Sequence, residues 1–204
     1  MGLLIVFIPA TFEIGGQPWD ALPDPLGWLL VVAGVRALGR TLDVELITWL
    51  AVVALIVSVP LWVPQFVDVL PHTAGEDAGV EPSVQWALFV PQALFSLLLA
   101  KAISEAATLR TPRDVFVAGR FGVLIWAFAA CIALPPIAYG ARIEPLVDPT
   151  LYLIALVNLV FVYYLFRVHR REWLGGPGPL EIRPTREGGV TTAKPENDEG
   201  RPPR

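Results

Sequence analysis

FGVLIWAFAACIALPPIAYGA, residues 121 to 141, contains no charged side chain from end to end. A helix of that length rises about 30 Å, the thickness of a bilayer's hydrocarbon core. Three further windows have the same character: Leu46 to Val67, Pro82 to Ala100 and Pro149 to Phe166. The four predict membrane-spanning helices, because a helix in water interleaves charge with its apolar stripe within every turn or two. Composition agrees. The chain is 54% hydrophobic and 17% charged, against about 45 to 50% and about 25% in an average soluble domain.

Two shorter apolar stretches come first, Met1 to Phe12 and Pro25 to Val35, the second extendable past Arg36 if that side chain snorkels to the headgroups. As helices they reach only about 18 to 24 Å, so they are expected to form a short hairpin. The expected fold is all-α: a polytopic helical membrane domain over residues 1–171, with about six hydrophobic segments at about 1–14, 25–41, 46–67, 82–104, 113–140 and 149–167. A disordered tail is expected over 172–204, where the apolar periodicity stops and Pro and Gly rise above the roughly 25 to 30% that marks a low-complexity segment. Its five basic and six acidic residues nearly cancel, so it is no polybasic lipid clamp; a protein partner is its expected ligand.

Orientation follows from the basic residues, which cytoplasmic loops retain. Arg36 and Arg40, then Lys101, Arg110 and Arg113, then Arg167, Arg170 and Arg171 alternate with acidic connections holding Asp20 and Asp24, Asp68 to Glu81, and Glu144 and Asp148. Only Arg142 breaks the pattern, so both ends are expected in the cytoplasm. With 13 Arg to 2 Lys and frequent Ala, Gly and Pro, the composition fits a high-GC bacterium and its plasma membrane. The amino-terminal apolar run has no basic region before it and no small-x-small cleavage site before Thr11, so a removed signal peptide is not expected. Helix starts are expected at Asp24-Pro25, at Thr111-Pro112 with Asp114, and at Asp148-Pro149, each a capping oxygen beside a proline whose missing N–H costs nothing in the first turn.

The most distinctive local pattern is Leu22-Pro23-Asp24, then Gly27-Trp28, an apolar run and Arg36. It resembles the amino-terminal region of a family of small, uncharacterised multi-pass membrane proteins of Gram-positive bacteria, in which tyrosine often stands at the last motif position. The resemblance extends from Met1 to about Arg40 and implies a membrane location and a helical hairpin; it implies no activity.

Asp24 has two readings. In one it caps a helix, Gly27 lets a neighbouring helix come close and Trp28 anchors at the headgroups. In the other a re-entrant hairpin carries Asp20 and Asp24 into the membrane as a cation or proton site. An aspartate at mid-depth costs about 2.5 to 3.5 kcal/mol, whereas a short hairpin spanning a thinned bilayer costs fractions of a kcal/mol per Å over about 6 to 12 Å. The comparison leans to the shallow reading.

Lys101 and Glu105 share a helix face by their spacing, and counting outward from Pro112 puts them level with Arg120. They read as an ion-pair cluster sealing the inner interface, or, for Arg120, as an anion-binding group in a vestibule. Prolines 60, 64, 91, 135 and 136 lie within apolar windows, where kinks serve transporters and inert bundles alike. Asn158 is expected to hydrogen-bond a neighbouring helix. A net charge of -4 without a basic patch speaks against nucleic acid, and one cysteine and two histidines provide no disulfide, metal or cofactor framework. No phosphate loop, His-Glu-x-x-His or Gly-x-Ser-x-Gly occurs. Two functional classes stand: a non-enzymatic membrane protein that organises partners, and a small-solute or ion transporter using the Asp20 and Asp24 hairpin and Arg120. Oligomeric state is left open.

Overall fold

A computed structural model describes residues 1–7, 11–14, 17–20, 23–62, 80–141 and 143–176. Its α-helices are α1 (Gly2–Phe7), α2 (Asp24–Leu38), α3 (Glu45–Trp62), α4 (Val80–Leu109), α5 (Val115–Gly140) and α6 (Glu144–Val168). Between α1 and α2 runs a two-stranded antiparallel ribbon, β1 (Thr11–Ile14) and β2 (Gln17–Asp20), in which Thr11 faces Asp20 and Ile14 faces Gln17. Four helices are long and apolar enough to cross a membrane: α3, most of α4 from Trp86, α5, and α6 from Pro145.

What makes these helices pack is visible in their buried faces. One row of buried residues along α4 is Ala93, Ser96, Ala100, Ile103 and Ala107, beside buried Phe95 and Leu99, and a row along α5 is Val117, Phe121, Leu124, Phe128, Cys131 and Pro135. Both series alternate steps of three and four, the seam of a left-handed helix pair. Small side chains on α4 receive large ones on α5, which brings the backbones close. Phe128 meets Phe161 of α6 edge-on at 5.1 Å between ring centroids, and Phe121 meets the same ring at 6.4 Å. The outward faces are equally apolar: Trp49 and Ile56 on α3, Trp126 on α5 and Leu156 on α6 are all exposed. A helix that is apolar all round belongs either in the interior of a large protein or in lipid.

A proline inside a helix leaves a carbonyl without its usual partner, and here one such carbonyl is supplied from the next helix. Pro136 has no N–H to give Ile132, and the Trp86 indole N–H donates to that carbonyl at 2.9 Å. Ser104 Oγ donates across the same pair of helices to Ala118 O at 3.0 Å. The α4–α5 turn ends where expected, with Asp114 as the N-cap of α5 accepting from the Val117 N–H at 3.2 Å.

The first segment departs from the expected helix over 1–14: α1 ends at Phe7 and the chain continues as the ribbon. So short a helix forms too few hydrogen bonds to stand alone, and α1 persists by lying on α2. Gly2 and Gly27 meet at the crossing. A Cβ on Gly27 would stand 2.8 Å from Val6 Cγ2 and 3.0 Å from the Gly2 carbonyl oxygen, and one on Gly2 would overlap the Gly27 carbonyl.

Depth follows from one contact. Trp28 in the first turns of α2 packs edge-on against Phe95, with ring centroids 5.3 Å apart, and Phe95 lies midway along α4. Asp24, one turn earlier, is then at most about 6 Å beyond that level, whereas α4 continues about 22 Å to Val80. The helical part of the hairpin therefore stops near the middle of the bundle. Leu38 and Leu4 line one groove with Leu165 and His169, so α2 ends at the same end of the bundle as α6.

Two further boundaries move. α6 begins at Glu144-Pro145, with Ile143 at the N-cap, so Asp148-Pro149 lies inside the helix and does not open it. The expected tail keeps its first residues on the bundle: Glu172–Leu174 form a 3-10 turn whose Trp173 and Leu174 pack against the core. Residues 177–204, the loop holding His72, Pro64 and Gln65, and the outer end expected for segment three lie outside the described residues.

Candidate functional site

The residues singled out in the sequence fall into three separate places. At the base of the hairpin, Asp24 is the first residue of α2 and not its cap, a position taken by Pro23, which has no side-chain oxygen to offer. A half-buried carboxylate in the first turn still faces the positive end of the helix dipole. Asp20 is paired with Thr11 at the open end of the ribbon, four residues before Asp24 in the chain. Gly27 makes the close crossing expected of it. Trp28 does not anchor at a headgroup surface: it is 2% exposed and sits in the core against Phe95, because the first turns of α2 lie at mid-bundle.

Lys101 and Glu105 form the expected pair at 3.8 Å, with side chains 54% and 63% exposed. An exposed pair of this kind contributes about 0.3 to 0.5 kcal/mol. Arg120 does not join them. Its guanidinium lies over the Phe116 ring at 5.5 Å, and Arg167 approaches the same ring at 5.1 Å while donating to Tyr163 Oη at 3.0 Å. One aromatic ring thus gathers an arginine from α5 and another from α6, whereas a count by depth alone sends Arg120 to the level of Lys101 and Glu105.

A fourth place reads in the sequence only as topology. Arg110 and Arg113 from the α4–α5 turn and Arg170 and Arg171 from the end of α6 surround one open cavity of about 460 Å³. Arg171 reaches Asp114 at 3.6 Å and ties the end of α6 to the cap of α5. Each basic cluster is plain in the sequence, but their convergence depends on α6 returning beside the α4–α5 turn, which no local pattern encodes.

The buried hydroxyls are spoken for within their own helices: Ser58 donates to Leu55 O, Ser96 to Gln92 O and Thr150 to Leu146 O. Asn158 differs. It is half-buried midway along α6, between buried Val157 and exposed Leu159, and among the described residues no hydrogen bond joins it to another helix. No family model, curated protein or solved structure matches the chain.

Proposed function

We propose that this chain is a multi-pass integral membrane protein of a bacterial plasma membrane, with both ends cytoplasmic, that associates with protein partners and does not turn over a substrate. Asn158 is the observation that carries the association. A primary amide in the middle of an apolar helix, without a partner on a neighbouring helix among the described residues, gains from one on another chain, and such interhelical bonds contribute about 0.6 to 2 kcal/mol each. Leu156 and Leu159 beside it face outward and add contact area. The one-sided distribution of arginine supports the orientation. Replacing Asn158 with Leu is expected to reduce the fraction of protein recovered in complexes after cross-linking in membranes, with helix content unchanged. Complexes recovered as from the unaltered chain would remove this handle.

The level of Asp24 favours a second reading, in which Asp20 and Asp24 form a polar site within the membrane for ion or small-solute transport. Arg120, stacked on Phe116, lends that reading no support. Thiol labelling separates the two. In a Cys131→Ser background, which removes the chain's one cysteine, an Ala21→Cys variant is treated in intact cells with a membrane-impermeant reagent. Ready labelling puts the turn in water and leaves Asp24 a helix-end residue. Protection from that reagent with labelling by a small permeant one makes transport the reading to pursue, with flux expected to fall when Asp24 becomes Asn.

A further inference from the structure

The four arginines around the cavity at the inner end differ in what they already hold. Arg171 is committed to Asp114. Arg110, Arg113 and Arg170 make no ion pair or hydrogen bond with any other side chain among the described residues, yet they face one concave space of about 460 Å³. Glu172 also lines it, so four guanidinium groups stand against two carboxylates and the cavity carries a formal excess of two positive charges. Like charges brought together from two chain segments repel, a cost that water and salt screen in part and that an anion bound between them removes.

We infer that this cavity binds a phosphate group. Guanidinium is the side chain suited to it: planar, always charged, and able to give two parallel N–H bonds to a pair of phosphate oxygens. The 3-10 turn after α6 closes one side through Trp173, and the tie between Arg171 and Asp114 holds the two segments in register. The cavity lies just past the last apolar turns of α4 and α6 and before the first of α5, the depth at which lipid phosphates stand if the bundle spans a membrane. The same chemistry serves a phospholipid headgroup or a soluble phosphate compound. Binding depends on neither reading of Asn158 or of Asp24.

The test uses the full chain in an uncharged detergent, at constant ionic strength because exposed charges are screened by salt. It is titrated with short-chain phosphatidylglycerol, with phosphatidylcholine of the same chain length, and with inorganic phosphate. Phosphatidylglycerol is expected to bind, and the Arg110→Gln, Arg113→Gln double variant is expected to bind it about tenfold more weakly or worse, the loss of two charge-assisted contacts. Arg40→Gln, a basic residue at the same end but outside the cavity, is expected to bind as the unaltered chain does. If the double variant fails to fold by circular dichroism, Arg170→Gln is read in its place. Binding of phosphatidylglycerol without inorganic phosphate identifies a lipid headgroup; binding of phosphate without the lipid identifies a soluble ligand. No binding of either, equal binding of both lipids with no effect of the cavity variants, or an equal loss in Arg40→Gln overturns the assignment.

Discussion

The α4–α5 hairpin and the α1–α2 hairpin meet similar demands by opposite means. In the first, two long helices interlock small residues with large ones, an aspartate caps the turn, and a tryptophan from one helix serves the carbonyl that a proline in the other leaves open. In the second, one helix is barely two turns long, the other stops near mid-bundle, and two glycines at a single crossing do the work of a whole seam. A long apolar helix carries its own stability into the fold. A short one borrows it from one contact, and so has one point of failure.

Three substitutions probe that contrast. The largest effect is expected at Phe128, which is 1% exposed and packed edge-on to Phe161. Phe128→Ala should cost about 3 to 5 kcal/mol, read as a lower midpoint of thermal denaturation in detergent, and the loss should be global because the α4–α5 seam and α6 share that residue. Gly27→Leu comes next, at about 1 to 3 kcal/mol for overpacking, and its signature is local: protease access near α1 should rise well before α4 and α5 unfold. If instead the whole bundle melts together, the short hairpin is no separate unit. The smallest effect is the most specific. Trp86→Phe removes one hydrogen bond, worth about 0.5 to 1.5 kcal/mol, and that cost should shrink when Pro136→Ala restores a backbone N–H for Ile132. Equal costs in both backgrounds would show that the indole is not standing in for the missing amide.

The same contrast explains what could be read from the sequence. Long charge-free runs announce α3 to α6 because hydrocarbon excludes charge over a fixed thickness. Asp114 announces the start of α5 because a cap is a local device. Asp148-Pro149 misleads because Pro145, one turn earlier, already fits the first turn without any side-chain cap, and a helix that starts there needs only to forgo the N–H of Pro149. Gly15-Gly16 is a two-residue hairpin signal in the sequence, and the reading of 1–14 as one apolar segment passes over it. Trp28 misleads most: composition places tryptophan at a membrane surface, and only the register of α2 against α4 brings it inside. The cluster of Arg110, Arg113, Arg170 and Arg171 is hidden for a related reason, since counting basic residues loop by loop records their side and not their company.

The crossing of Gly2 with Gly27 also sets an order of events. Synthesis delivers α1 first, yet a helix this short gains its hydrogen-bonded form only once there is a groove to lie in, and that groove is the face of α2. Residues 2–7 are therefore expected to settle only after the first turns of α2 have formed. Of these two helices, the earlier to be made is the later to come to rest.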